Sequence, residues 1–583
     1  MPSKGGKQVC MADSVINILK RCYMSNINII PLGGVREEGK NMYIVEINQA
    51  IFVLDCGLLF PEDDLLGIDM VIPDFTYLEE NADRVVGIFL SHGHADAVGA
   101  LPYLLNKINA PVFGTHLTIE LASISARKQG LEDRIENFFE IDSETEIEFD
   151  EVTVSFFRTT HTIPDSVGIV LETAEGSIVY TGDFRFDPSA SKFYQTDFGR
   201  LTDIGEGNVI ALLSDSAAAE SPVENVSDLM ISEEITEVFR NAKGRVIVGT
   251  IGSNIARIQQ VLEAAHQSKR TIFIPSDDLY EIVDVAIQLD KIQIPSRDVI
   301  GSFKKVDSFE DNQVVILATG DVGEPIKTIQ AMAQGNHPSV KIKEHDTVYI
   351  ATTPSVSMET NVARTKDMIY KAGASVLSVT DHHKTSGHAT PNDLKLMLNF
   401  IKPQYLIPIN GEYRMLKAHA DLAAQVGMKP DQIILLSLGD VLEYKEGKMT
   451  LSGQVDAGDV LVDGIGVGDI GNVVLRDRRV LSEDGIFVVV ATISRRLKKI
   501  LVGPQITSRG FVFMKTSTDL IEACSDITLD VLDEHLASDD FDWGELKGDL
   551  REKIGKFLFK ETKRRPVVLP IIMEASNYQA KKD

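Results

Sequence analysis

Residues 91–99 read Ser-His-Gly-His-Ala-Asp-Ala-Val-Gly, which sets His92, His94 and Asp96 two residues apart. They follow the apolar run Val85-Val86-Gly87-Ile88-Phe89-Leu90, too short for a helix and rich in β-formers, so the run reads as a buried strand. The stretch Val98–Leu105 after the cluster reads as a helix. Two imidazoles and a carboxylate at a strand-to-helix turn converge readily on one ion, and imidazole favours zinc or its first-row neighbours. A further ligand is expected at position 97, where the chain has Ala97.

Two later clusters make the first more specific. The strand Val152–Phe157 runs into His161, and the strand Ser177–Tyr180 into Thr181-Gly182-Asp183. His92, His94, His161 and Asp183 together offer three imidazoles and a carboxylate, a full tetrahedral set. Taken singly, His161 is a hydrogen-bonded histidine at a strand end and Asp183 a turn residue after glycine. The four in this order favour a metal.

The elements that must position them fall into zones. From residue 25 to about 215 strands dominate, with polar groups at their C-terminal ends, where ligands sit in layered α/β folds. From about 228 helix and strand alternate, which predicts a parallel, doubly wound sheet of roughly 150 residues. The first pattern resumes near 374, residues 452–465 are rich in Gly, Asp and Val and read as a linker, and a small α+β domain follows. Residues 1–23 match no secretory signal, and Met24 immediately precedes a strong strand, so 1–24 is set aside as an N-terminal extension.

At 583 residues the chain is too long for one core. No apolar run approaches the roughly 20 residues of a membrane span. Cys10, Cys22, Cys56 and Cys524 show no paired spacing, which suits free thiols in a reducing cytoplasm. The net charge of −28 argues against non-specific adhesion to polyanions, yet leaves room for RNA held through local basic groups and bound cations.

With these residues in place the chain resembles the ribonuclease J family, a metallo-β-lactamase fold carrying a β-CASP insertion. The resemblance rests on Pro31-Leu32-Gly33-Gly34, Gly39-Lys40-Asn41, Phe60-Pro61-Glu62-Asp63, Thr181-Gly182-Asp183-Phe184-Arg185, Ser386-Gly387-His388, Gly411-Glu412-Tyr413-Arg414-Met415 and the closing Leu569-Pro570-Ile571-Ile572. It implies an α/β chain: a metallo-β-lactamase αββα sandwich over 25–227 and 374–451, interrupted by a β-CASP domain over 228–373. The linker 452–465 and an association domain over 466–583 complete it.

The resemblance also implies a two-metal site whose second ion needs Asp96, a histidine after it, the bridging Asp183 and a late histidine. Here those histidine positions hold Ala97 and Asn410. Zn²⁺ at the first site and a weak second site for Mn²⁺ or Mg²⁺, helped by the Asn410 carbonyl, are therefore expected. Because a metal pair clamps both attacking and leaving oxygens, the loss should impair turnover. Other departures are Arg36 at a usual glycine, alanines at 217–219, Asp321-Val322 for Ser-Gln and Lys384 at a usual histidine. Together they resemble the degraded second paralogue that accompanies an active sister in this family.

By the same resemblance Asp215 and His388 are acid–base candidates. Lys384, Thr385, Ser386, Gly387 and His388, ahead of a Thr390/Asp393 capping box with Pro391 at the first helical position, would take an RNA 5′-monophosphate. A plain helix start is the alternative reading. His382 and His383 are taken as incidental.

Two functions remain in play. One is a cytoplasmic 5′–3′ exoribonuclease, with endonuclease activity as an option, that matures rRNA and turns over mRNA. The other is an RNA-binding, non-catalytic subunit of a hetero-oligomer with an active ribonuclease J paralogue, a homodimer being the simpler assembly. A small-molecule hydrolase fits the metal loop alone and not the inserted domain.

Overall fold

The computed structural model describes residues 25–61, 65–222, 227–320, 325–353, 359–381, 386–512 and 517–575. The chain divides into two compact units: residues up to Phe60 with Met70–Val460, and Pro61–Asp69 with Leu461–Asp583.

Two sheets form the base of the first unit. One has eight strands in the order Lys448–Gln454, Asp440–Lys445, Ile27–Gly33, Met42–Ile47, Ala50–Leu54, Val85–Phe89, Val112–Thr115 and Phe138–Ile141. The other has six, in the order Tyr405–Ile409, Val209–Asp215, Gly176–Tyr180, Val167–Thr173, Val152–Arg158 and Glu146–Phe149. They face each other across one core, to which Val45, Phe52 and Phe89 come from the first and Phe156, Ile169, Tyr180 and Leu213 from the second. The outer face of the six-stranded sheet, with Val170, Val179 and Leu212, is covered by the helices Phe198–Glu206, Pro391–Ile401 and Tyr413–Gln425. Helix His116–Lys128 packs on the strands Val112–Thr115 and Phe138–Ile141 of the eight-stranded sheet. Strands covered on both faces need apolar residues on both, which is why Val209–Asp215 is buried along its whole length.

A third, all-parallel sheet has the order Ile300–Gly301, Thr271–Phe273, Val314–Ala318, Val246–Gly249, Thr347–Ile350 and Ser375–Ser378. Val246 and Val248 enter one core and Ile247 the other, as expected for a doubly wound sheet. The domain is inserted between two neighbours of the six-stranded sheet: Val209–Asp215 and Tyr405–Ile409 pair in parallel, with Asp215 opposite Ile409.

Three local expectations change. Ser375–Ser378 does not return to the first domain but pairs with Thr347–Ile350 as the edge of the inserted sheet. The helix read over 98–105 is two short ones, Ala95–Val98 and Leu101–Leu105; the second restarts on Pro102, which has no N–H to continue the first. Residues 452–465 are not bare chain, since they hold the end of Lys448–Gln454 and the strand Asp459–Asp463.

In the second unit Ile486–Ser494 lies between Lys499–Arg509, antiparallel, and Val567–Glu574, parallel. Phe487, Val489 and Ala491 pack against Leu532, Leu550 and Ile554 of two long helices, Thr518–Ala537 and Trp543–Thr562. Among the described residues no helix is long and apolar enough to cross a membrane.

Candidate metal centre

Five chain segments meet at one point, one following a strand of the eight-stranded sheet and four following strands of the six-stranded sheet that faces it. Val85–Phe89 delivers His92, His94 and Asp96; Val152–Arg158 delivers His161; Gly176–Tyr180 delivers Asp183; Val209–Asp215 and Tyr405–Ile409 end in Asp215 and Asn410. The turn carrying Asp96 is seated by backbone bonds, Asn41 N–H to Asp96 O at 2.9 Å and Cys56 N–H to Ala97 O at 2.7 Å. The seat needs Gly57, whose added Cβ would lie 1.6 Å from the Asp96 carbonyl oxygen.

The three imidazoles form a cage with ring centroids 5.1 Å apart for His92 and His94, and 4.9 Å for each with His161. His92 Nδ1 lies 2.9 Å from the Ser91 hydroxyl, which donates to Asp55 at 2.7 Å; Tyr180 OH also donates to Asp55. Burial raises the Asp55 pKa to about 6. That relay fixes the His92 ring and leaves Nε2 buried with no hydrogen-bond partner, 3.7 Å from a carboxylate oxygen of Asp96 and of Asp183. A buried, unpartnered nitrogen facing two carboxylates is what a metal ion would satisfy.

His161 Nδ1 meets the Gly387 carbonyl at 2.8 Å, so that nitrogen carries the proton and Nε2 faces inward, 3.8 Å from Asp183. His94 is held at both nitrogens, Nδ1 by Ser253 Oγ at 2.6 Å and Nε2 by Thr162 Oγ1 at 2.7 Å. One hydroxyl must turn away before His94 offers a lone pair to an ion. Burial, then the charge on His92, lowers the His94 pKa to about 3, and burial with neighbouring imidazoles likewise depresses His161. Both are therefore neutral, the form that ligates. Burial works against charge on His92, but Asp96 and Asp183 outweigh it and raise its pKa to about 9.

The carboxylate side is built differently. Two triads share Asp183: His92, Asp96 and Asp183, and Asp183, Asp215 and His388. Asp183 is 4% exposed, and burial followed by the charges of Asp96 and Asp215 pushes its pKa well up. Asp96, against its burial, is held below the usual range by His92 and the other imidazoles. Ala97 is fully buried and offers only a methyl group. Asn410 Nδ2 donates to Asp183 Oδ1 at 2.8 Å, and its Oδ1 accepts from Gly39 N–H at 3.2 Å. The amide oxygen expected to help hold a second ion thus accepts from backbone here, and the nitrogen presents hydrogen to the shared carboxylate.

His388 Nδ1 lies 2.9 Å from Asp215 Oδ2 and 3.8 Å from Asp183. Burial opposes a charge on His388, but Asp215 and Asp183 raise its pKa well above the ordinary value, so the pair is an imidazolium on a carboxylate. Ser386 Oγ accepts from His388 N–H at 3.1 Å. Gly387 packs so closely on His161 that a Cβ there would come within 2.6 Å of the ring. The Thr390/Asp393 capping box is formed, with Pro391 opening the helix. Lys384 and Thr385 lie outside the described residues, as do His382, His383, Asp321, Val322, Cys10, Cys22 and the extension 1–24.

The structure thus brings His92, His94, Asp96, His161, Asp183, Asp215 and His388 together, with Ala97 and Asn410 buried beside them. Sequence reading missed Asp55, Ser91 and Tyr180, which orient His92, and Thr162 and Ser253, which hold His94. Ser91 stands beside the motif and was findable. Ser253 reaches in from 159 residues downstream, and no local pattern announces it.

Comparison with known proteins agrees with this construction. Residues 35–211 match the metallo-beta-lactamase superfamily and 376–433 a Zn-dependent metallo-hydrolase RNA specificity domain. Residues 243–369 match the ribonuclease J beta-CASP domain and 473–575 the ribonuclease J C-terminal domain. The chain is 49% identical over 551 residues to "Ribonuclease J 2" of Streptococcus pyogenes, covering 94% of this chain and all of that one. It is 42% identical over 549 residues to "Ribonuclease J 2" of Staphylococcus aureus, covering 94% and 98%. A solved structure titled as a protein of unknown function from Enterococcus faecalis V583 shares the fold, with TM-score 0.51 at 14% identity, covering 72% of this chain and all of that one.

Proposed function

This chain belongs to the ribonuclease J family, and from that premise we propose that it is a metal-dependent ribonuclease of RNA processing and decay whose own turnover is weak. It binds a divalent metal and RNA. The observation that carries the weakness is the Asn410 amide donating to Asp183 at 2.8 Å where a second ion would have its shared ligand, beside the methyl group of Ala97.

Zn²⁺ would be held by His92, His94, His161 and Asp183, while Asp96 and Asp183 alone would hold Mn²⁺ or Mg²⁺ loosely. Bound metal would supply Lewis-acid polarisation of a phosphoryl oxygen. The chain's own contribution is the His388–Asp215 pair, 2.9 Å apart, in which a protonated imidazole stands ready to give a proton to a leaving oxygen. Ser386, Gly387 and His388, with Lys384 and Thr385, would receive the 5′-monophosphate for 5′–3′ exonucleolytic cutting, endonuclease activity remaining an option. The setting is the cytoplasm, with rRNA maturation and mRNA turnover shared with an active paralogue in a hetero-oligomer, or carried out by a homodimer.

The test is turnover of a 5′-labelled, monophosphorylated RNA in Mn²⁺. The double change Ala97→His with Asn410→His should raise it about tenfold or more, about 1.4 kcal/mol off the barrier. Native turnover equal to that of a sister with both histidines would overturn the proposal. The same hydrogen bond favours a second reading, a non-catalytic RNA-binding subunit, which predicts no single-turnover cleavage of bound RNA by the native chain.

A further inference from the structure

We infer that Arg36 and Tyr413 form a nucleotide subsite at the rim of the cleft, taking a base on the tyrosine ring and a phosphate on the guanidinium. This rests on the ribonuclease reading and names a place where the RNA is held. Arg36 has a left-handed backbone, φ 63°, unusual for a side-chain-bearing residue. Its Nε donates to the Leu436 carbonyl at 3.2 Å, and its guanidinium carbon stands 5.3 Å from the Tyr413 ring centroid. The side chain is thus fixed at two points, while among the described residues no carboxylate lies within ion-pair distance of it. Tyr413 is 52% exposed, so one ring face meets the guanidinium while ring surface remains open to solvent.

Nearby acids are mostly spoken for. Arg414 engages both Glu412 and Glu220, and Glu37 pairs with Lys40 at 3.3 Å. Glu38, exposed in the same loop, is left as a repulsive neighbour, which makes stacking rather than charge the larger expected contribution. The position suits a substrate strand. Arg36 is three residues from Gly39 and Tyr413 three from Asn410, and those two are joined by the hydrogen bond that leads to Asp183. Three residues span at most about 11 Å, so both side chains start within that reach of the hydrogen-bonded pair beside Asp183. Every base has a π-face, so such a platform tolerates any sequence.

The experiment is fluorescence anisotropy with the full chain and a fluorescein-labelled, single-stranded RNA decamer in EDTA, at three salt concentrations. Tyr413→Ala should weaken binding about five- to tenfold, and Tyr413→Phe should restore it, because the ring rather than the hydroxyl carries the contact. Arg36→Ala should weaken binding a few-fold and flatten the salt dependence by about one phosphate contact. Binding by the native chain with all three variants unchanged would overturn the subsite alone, and would be the outcome if the pair serves a protein partner or only packs. No binding by the native chain would instead remove the RNA-binding reading beneath it. Circular dichroism melting coincident with the native chain's shows that the variants are folded.

Discussion

The two sides of the Asp183 carboxylate solve different problems with similar materials. On one side, three imidazoles, two buried and His94 half-buried, are oriented by outer groups, and His92 Nε2 has no hydrogen-bond partner. On the other, the positions that would hold a second ion are closed by a methyl group and an amide, and the Asn410 amide satisfies both its own ends. The first leaves a buried nitrogen that a cation would satisfy; in the second both ends of the amide are bonded within the protein. A buried polar group left unmatched is costly, and on the proposed reading a cation would meet that cost on the first side more than on the second.

That contrast can be broken or sharpened experimentally. The largest effect is expected for Asp183→Asn, which removes the carboxylate common to both sides. Zinc affinity, read by competition with a chelator, should fall by more than about 100-fold, since outer groups alone are worth about 10–100-fold. A smaller fall would mean that the imidazoles hold the ion unaided. Next, Asn410→Ala should destabilise the metal-free chain by about 2 kcal/mol in thermal or denaturant unfolding, because Asp183 Oδ1 and Gly39 N–H both lose a buried partner. No loss would show that the amide is not the closure described.

Ser91→Ala should weaken zinc about tenfold by releasing the His92 ring, with no change in any Mn²⁺ response. The smallest effect concerns His388. Its folded pKa is raised, so its contribution is full below its unfolded value near 6.5 and is lost as pH climbs through the folded one. In EDTA, His388→Gln should therefore cost on the order of 1 kcal/mol at pH 6 and progressively less as the pH is raised. An effect that grows with pH would reverse the assignment of an imidazolium to this pair.

Much of this was legible in the chain. Apolar runs such as Val85–Phe89 and the alternation from 246 to 350 have one reading each, because a strand covered on both faces must be apolar throughout. The candidate ligands His92, His94, Asp96, His161 and Asp183 were legible because each follows a strand end. The orienting groups were not. Asp55 and Tyr180 come to Ser91 through the packing of two sheets, and Ser253 through the docking of an inserted domain. Nor was the role of Asn410, since a side chain at a lost ligand position can hang idle or rebond, and only its neighbours decide which. The edge strand Ser375–Ser378 was misplaced because its exposed alternate residues carry no sign of which sheet will accept them.

The Gly387 carbonyl that receives the His161 proton belongs to the turn between Ser386 and His388, the segment that would meet an RNA terminus. On the proposed reading, occupancy of that turn and retention of the ion would be linked through this hydrogen bond. Reciprocity follows by thermodynamic necessity: whatever factor an arriving strand adds to the hold on metal, metal adds to the hold on the strand. On the proposed reading, a chain with weak turnover would then act as a clasp if the coupling is positive, holding RNA more firmly with the ion bound.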